Sequence, residues 1–303
     1  MKKVVVIGWG SIGRRYAVNL EEMGHKVIIF TQRETSYKTI QTIEKLLDED
    51  PDLVIVANQT GKHGDTLKDL RKHGYHNRVL MEKPLDTKIA SLPTEDKLVW
   101  VGYHLRFHPI IKILNKTLQG KDIVAFQASV GQHLSQWRPG RDYRDCYSAK
   151  KLEGGGVLRD LSHELDLVLY LIGDCHKLVS QITHTKTLDI ETEDCVSMLM
   201  QSERCPHVSV NFDYLDHLVH RDLKIHCLNE SFHVDLLQGT LKTCDQSLIY
   251  TPDRNRMMKE MLEEALSKNP SPSLCTYKEG LTIMKWIESA EQSMEKKSWV
   301  SCG

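Results

Sequence analysis

The N-terminal third of the chain has a regular rhythm. Short apolar runs, "KVVVIG", "HKVIIFT", "DLVIVAN", "RVLMEKP" and "LVWVGYH", recur from residue 2 to about 103, with amphipathic stretches between them. The runs are rich in β-branched residues, as strands are. "SIGRRYAVNLEEMG" instead places Ile12, Tyr16 and Leu20 at helical spacing and ends at Gly24. "IQTIEKLLDED", closed by Pro51, and "GDTLKDLRKHG" read as further helices. Strand and helix in steady alternation predict βαβ units on a parallel sheet.

The period then changes. "FHPIIKILNKTLQG" reads as a connecting helix. After it, "IVAFQASVGQH", "HKLVSQITHTKTL", "CVSMLMQS", "HVSVNFDYL" and "RDLKIHCLNESFHVDLL" alternate apolar and polar residues and are joined by polar turns. Period two predicts an antiparallel sheet with one covered face. Two helical stretches close the chain, "NRMMKEMLEEALSKN" and "YKEGLTIMKWIESAEQSMEK". No internal repeat or low-complexity linker interrupts it. The expected class is α/β, with a domain over residues 1–118 and a second over 119–303.

Composition narrows the function. The 303 residues suffice for two cores. A formal net charge of −1 lacks the basic excess of a nucleic-acid binder. The apolar runs are too short to span a bilayer. "MKKVVVIGWG" starts basic, but its apolar run breaks at glycine, so it reads as a strand and not a signal peptide. Eight cysteines without CxxC pairs point to free thiols in a reducing cytoplasm, with no disulfide scaffold and no metal site.

Two motifs sit at predicted strand ends. "VVVIGWGSIGRR" spaces Gly8, Gly10 and Gly13 as GxGxxG between a strand and a helix. Gly8 permits the turn, Gly10 lets a pyrophosphate approach, and Gly13 lets helix and strand pack, with Ser11 and Ile12 opening the helix toward the phosphates. The second strand ends in Thr31, Gln32 and Arg33, without the acid that binds a ribose 2′-hydroxyl. Arg33 suits a 2′-phosphate, which favours NADP over NAD. Glu34 follows at once and keeps NAD open. Further on, "RVLMEKP" ends in Glu82, Lys83 and Pro84. Lys83 is placed to polarise a hydroxyl or carbonyl, Glu82 to orient it, and Pro84 makes a rigid turn that admits a cis bond.

The stretch "GGGVLRDLSHELDLVLYLIG", residues 154–173, raises the sharpest question. On one helical wheel Leu161, Leu165, Val168 and Ile172 form a core stripe. Asp160 and His163 fall within about 60° of each other on the opposite side, together with Leu167 and Tyr170. A carboxylate beside an imidazole fixes its tautomer and raises its basicity, as a general base requires. Glu164 and Asp166 flank this sector. The alternative is an amphipathic helix with a solvated acidic face and an incidental histidine.

Taken in order, "VVVIGWGSIGRR", "NQTGKHGDTL", "EKPL" and "GGGVLRDLSHELDLVLYLIG" resemble the Gfo/Idh/MocA oxidoreductases over nearly the whole chain. The resemblance implies a Rossmann domain followed by an α/β domain with a large, mostly antiparallel sheet, often used for oligomer contact. It puts the family's lysine on Lys83, its histidine on His163 and its aspartate on Asp160. Here three positions separate aspartate from histidine where many members have four. Asn58, Thr60 and His63 match the stretch along the nicotinamide ribose. The segment "HLSQWRPGRDYRDCYSAKKLEGGG", with Trp137, Arg138, Arg141, Tyr143 and Arg144, and "GYHLRFHP", with Tyr103 and Arg106, are similar to the branch linked to bacterial surface sugars. Aromatic rings stack on sugars and arginines bind phosphate or carboxylate. The expectation is a cytoplasmic, homodimeric or homotetrameric NAD(P)-dependent sugar dehydrogenase acting on an anionic small-molecule substrate. A cofactor-retaining redox glycosidase and a non-catalytic cofactor-binding sensor are the alternatives.

Overall fold

A computed structural model describes residues 1–137, 140–251 and 253–302. The chain divides into two compact units, Met1–Phe107 with Asp253–Leu281, and His108–Pro252 with Thr282–Gly303.

The first unit carries the strands β1 (Lys3–Ile7), β2 (Lys26–Phe30), β3 (Lys38–Ile40), β4 (Leu53–Val56), β5 (Arg78–Met81) and β6 (Val99–Val101). All six run parallel. A short antiparallel edge strand, β15 (Cys275–Thr276), completes the sheet in the order β15-β6-β5-β4-β1-β2-β3. Three helices alternate with the strands: α1 (Ser11–Glu22), α2 (Ile43–Asp48) and α3 (His63–Lys72). Val4, Val5, Val6 and every residue of β4 are fully buried. Both faces of this sheet are therefore covered, as continuous apolar runs require. Neighbouring strands end level with one another, Ile7 beside Phe30 and Val56, and Val56 beside Met81. The chain order turns back at β1 and β4, the kind of crevice where open α/β sheets hold ligands. β3 and β15 are too short to show a period in sequence. The helix α7 (Arg254–Leu266) also belongs to this unit, and Arg15 Nε there donates to Asn255 Oδ1 at 3.0 Å.

The second unit is built on nine strands: β7 (Ile123–Gly131), β8 (Cys175–Thr183), β9 (Cys195–Ser202), β10 (His207–Asp213), β11 (His220–Cys227), β12 (Ser231–Asp235), β13 (Thr240–Lys242), β14 (Ser247–Ile249) and β16 (Val300–Ser301). Their order is β14-β13-β12-β11-β7-β10-β9-β8-β16, and every pairing is antiparallel except β7 with β10. Val196, Met198 and Met200 of β9 point into the core, whereas Leu199 between them is 44% exposed. The expected one-faced sheet is thus present. The helices of this unit include α4 (Pro109–Thr117), α5 (Val157–Asp160), α6 (His163–Ile172) and the greater part of α8 (Tyr277–Lys296). Ser180 ties β8 to α8, donating from its hydroxyl to the Ala290 carbonyl at 2.6 Å and from its N–H to Ser293 Oγ at 3.0 Å. No helix among the described residues is long and apolar enough to cross a membrane.

Candidate active site

In the first unit the motif residues gather at the carboxyl edge of the sheet. Gly8 follows β1 with φ +107°, and a Cβ there would lie 2.4 Å from the Ala57 carbonyl oxygen. A Cβ on Gly13 would lie 2.2 Å from the Gly8 carbonyl oxygen. Both positions therefore need glycine for backbone packing. Gly10 differs, because nothing lies within 4 Å of its absent Cβ. It precedes α1, which has no side-chain cap and no acid in its first turn. The helix N–H groups beside Ser11 and Ile12 thus face open space, and this turn fits a pyrophosphate.

Beside it, Asn58 Nδ2 donates to Thr66 Oγ1 at 2.9 Å, while its buried Oδ1 has no hydrogen-bond partner among the described residues. An acceptor left so beside the glycine turn also fits a bound dinucleotide. His63 is buried, its ring nitrogens 3.0 Å from the Pro84 carbonyl oxygen and 3.3 Å from that of Asn58. It sits between the turn after β4 and the turn after β5, and burial holds its pKa below the usual histidine value, so as a neutral ring it donates to one of the two carbonyls. The Lys83–Pro84 peptide is cis. Glu82 is buried and accepts from the Tyr16 hydroxyl and, at 3.3 Å, from the Lys83 N–H. Burial raises its pKa, and the Tyr16 bond opposes that rise. Glu82 therefore joins α1 to the lysine turn, and the contact with Lys83 is through the backbone. Thr60 and Lys83 are half-buried.

At the tip of β2, Thr31 Oγ1 accepts from the Arg33 N–H at 3.2 Å. Gln32, Arg33 and Glu34 are exposed. Trp9, inside the glycine turn, meets Tyr37 edge-on at 5.6 Å and carries the Arg14 guanidinium at 5.3 Å. Tyr103 and Arg106, expected at the substrate, are both buried in this unit, and Arg106 Nη1 donates to Glu279 Oε1 at 2.9 Å. Glu279 also accepts from the Thr276 N–H and hydroxyl, which caps α8.

In the second unit the glycine run does not open an uninterrupted helix. Gly156, with φ +115°, leads into α5, which stops at Asp160, and α6 begins at His163. The single wheel over 157–172 is thus broken at Leu161–Ser162. The core stripe survives, with Leu161, Leu165, Val168 and Ile172 all buried. A Cβ on Gly156 would lie 2.2 Å from Glu193 Oε1, so a carboxylate fills this glycine cradle. Glu193 accepts from the Leu158 N–H at 3.2 Å and acts as the side-chain cap of α5. Burial raises its pKa.

None of the acids of this stretch is solvated. Asp160 is 4% exposed, His163 6%, and Glu164 and Asp166 0%. Asp160 Oδ2 accepts from the Tyr214 hydroxyl at 2.7 Å. Glu164 Oε1 lies 2.8 Å from Arg221 Nε of β11. The guanidinium N–H there is poorly aligned for a hydrogen bond, so at that nitrogen the contact is charge pairing. Arg159 Nη1 donates to Glu291 Oε1 of α8 at 2.7 Å.

Of the arginine–aromatic loop, Arg138 lies outside the described residues. Trp137 is half-buried, donates from Nε1 to the Gln132 carbonyl at 3.1 Å and meets Tyr214 edge-on at 5.1 Å. Arg144 is held by Asp142, whose pKa falls to about 2 through that bond, and lies 3.6 Å from Asp189. The Tyr143 hydroxyl accepts from the Asp189 N–H at 3.3 Å. Arg141 is exposed and lines a cleft of about 320 Å³ with Asp142, Asp145 and Cys146. Sequence reasoning missed Tyr214, Glu193 and Arg221. Each lies thirty or more residues from the helix it serves, in a segment whose own period only says strand or turn.

Comparison with known proteins bears on the family and the fold. Residues 2–95 match the family model described as oxidoreductase family, NAD-binding Rossmann fold, and residues 122–233 match the GFO/IDH/MocA C-terminal domain. The chain belongs to the Gfo/Idh/MocA oxidoreductases. As a member of that family it is an NAD-binding oxidoreductase with a Rossmann-type first sheet. Levoglucosan dehydrogenase in complex with NADH superposes with a TM-score of 0.85 at 15% identity, covering 100% of this chain and 99% of that one. Its complex with NADH and L-sorbose gives 0.86 at 14%, with the same coverage. An NAD binding oxidoreductase from Klebsiella pneumoniae gives 0.81 at 13%, covering 100% and 99%. At such identities the likeness is one of fold.

Proposed function

We propose that this Gfo/Idh/MocA member is a dehydrogenase acting on a hydroxyl of a sugar or sugar derivative that bears an anionic group. The observation that carries the reading is the buried Asp160 and His163 on either side of a helix break, with Asp160 held by Tyr214. A carboxylate and an imidazole kept from water this way suit general-base work. His163 takes the hydroxyl proton, Asp160 fixes its tautomer, and Lys83 stabilises the developing alkoxide. The nicotinamide, when bound, supplies the hydride acceptor. Gly10, Ser11, Ile12, Asn58, Thr60 and the β2 tip hold the dinucleotide. Arg33, exposed and in no ion pair among the described residues, supports a preference for NADP.

Sugar complexes of a structural neighbour support the substrate class. Within the described part of the loop, Arg141 is the arginine left for an anionic substituent, since Arg144 already faces Asp142; Arg106, in the first unit, faces Glu279. Eight free cysteines support a cytoplasmic protein. The open face of the nine-stranded sheet supports a homodimer or homotetramer.

The test is turnover on a panel of acidic and neutral sugars. His163→Ala should abolish it while NADH affinity stays within a few-fold. Near-normal turnover in that variant sinks the mechanism. NADPH should bind more tightly than NADH, and Arg33→Ala should narrow the gap by about 1.5–3 kcal/mol, the scale of a hydrogen bond to a charged group. Equal affinities in the unmutated protein sink the NADP preference alone.

A further inference from the structure

Tyr214 follows β10 and is fully buried. Its backbone joins two segments: its N–H donates to the Asp194 carbonyl at 2.9 Å, and its carbonyl accepts from the Leu134 N–H at 3.0 Å. Leu134 opens the turn that carries Trp137. The ring of Tyr214 meets the Trp137 ring at 89°, and its hydroxyl donates to Asp160 Oδ2. One side chain therefore touches the arginine–aromatic loop with its ring and the carboxylate with its hydroxyl.

We propose that Tyr214 is a positioning residue that commits one oxygen of Asp160, orients that carboxylate for the His163 imidazole, and links its position to Trp137. The inference rests on the dehydrogenase reading of Asp160 and His163. Three physical points support it. A hydroxyl bond to a carboxylate oxygen fixes that oxygen and takes up part of its charge. The phenol stays a donor across the working range, because burial and the charge of Asp160 keep its pKa well above the ordinary tyrosine value. The edge-to-face contact is stiff, since Trp137 is itself held by the Gln132 carbonyl. The other titratable groups acting on Tyr214 are Tyr147 and Glu193, and Glu193 is committed to the start of α5.

Tyr214→Phe removes the hydroxyl and keeps the ring. Its kcat should fall about ten-fold as the carboxylate loses its fixed position, and the acidic limb of its pH profile should rise by about one unit, since the His163 imidazolium then faces a carboxylate that no longer shares its charge with the phenol. NADH affinity should stay near that of the unmutated protein, and the unfolding temperature should fall by only a few degrees, the scale of one lost buried hydrogen bond. In an Asp160→Asn background the same change should add nothing. A second measurement needs no turnover: NMR titration of the His163 imidazole in cofactor-free protein. Tyr214→Phe should raise that titration midpoint, because a carboxylate that no longer shares its charge with the phenol supports the imidazolium more. Trp137→Leu should move it in the same direction by less.

An unmoved acidic limb together with an unmoved His163 titration overturns the proposal, as does a rate effect that persists undiminished in Asp160→Asn. An unmoved titration in Trp137→Leu overturns the link to the loop. If His163→Ala retained turnover while Tyr214→Phe still moved the His163 titration, the dehydrogenase reading would fail and the positioning role would stand.

Discussion

The two sheets handle polar groups in opposite ways. In the parallel sheet every functional group stands at a strand end, and the site is largely backbone. Two glycines are required by main-chain atoms, a third leaves room for a ligand, and the His63 ring lies between two carbonyls, its single N–H donating to one of them. A sheet buried on both faces has no place for charge except beyond its strands. In the nine-stranded sheet one face is open, and the site helices lie in the buried layer, where charges must be paired. There the groups are fixed side chain to side chain: Tyr214 to Asp160, Glu164 to Arg221, Arg159 to Glu291. A change of side-chain length should therefore hurt the second unit most, and a change of backbone shape the first.

Arg221→Ala is expected to have the largest effect. It takes the guanidinium charge away from the buried Glu164 carboxylate, at a cost of about 3–5 kcal/mol in unfolding free energy. Replacing both residues with Met should recover most of that loss. Chemical denaturation of the single and double variants measures it, and a single variant within about 0.5 kcal/mol of the parent would remove the contrast.

Next is Gly8→Ala. The added Cβ meets the Ala57 carbonyl and the positive φ disfavours any side chain. A loss of about 1–3 kcal/mol is expected, with cofactor binding weakened together with it. Gly10→Ala meets no such atom, so it should leave stability nearly intact and weaken cofactor binding alone. Equal unfolding temperatures for the two variants would show that the glycines are not divided in this way.

The smallest effect separates the units by pH. Burial lowers the folded pKa of His63 below 6.5, so its neutral form stabilises the fold above that pH and the contribution is lost as pH falls through the folded value. Burial raises that of Glu193 above 4.5, so its contribution is full below that pH and is lost as pH rises through the folded value. His63→Gln should flatten the acid-side fall in unfolding temperature, and Glu193→Gln the fall on raising pH. Variants that leave both slopes unchanged would break this last contrast.

Much of this was legible in the order of residues. Continuous apolar runs located β1, β2, β4, β5 and β6 of the first sheet, and period two located the longer strands of the second, because a strand of several residues repeats its face at least twice. GxGxxG, the Glu-Lys-Pro strand end and the candidates Asp160 and His163 were all visible as spacing, though the single helix expected to carry the last two is two helices. The short strands β3, β13, β14, β15 and β16 were not, since two or three residues carry no period and their pairing comes from neighbours. Nor was the break after Asp160, because both halves keep the same apolar stripe. Nothing local sends α7 to the first unit, as its amphipathic face would suit either core.

By itself, then, the sequence determined two sheets of different kinds, the glycine turn and the candidate acid, base and lysine, because local periods and short motifs need only near neighbours. The tertiary structure alone decided what holds those groups. The carboxylate in the glycine cradle comes from Glu193, the hydroxyl on Asp160 from Tyr214 and the charge on Glu164 from Arg221. These partners are thirty to sixty positions away in the chain, and a buried charge selects its partner by proximity in the folded core, which no local pattern records.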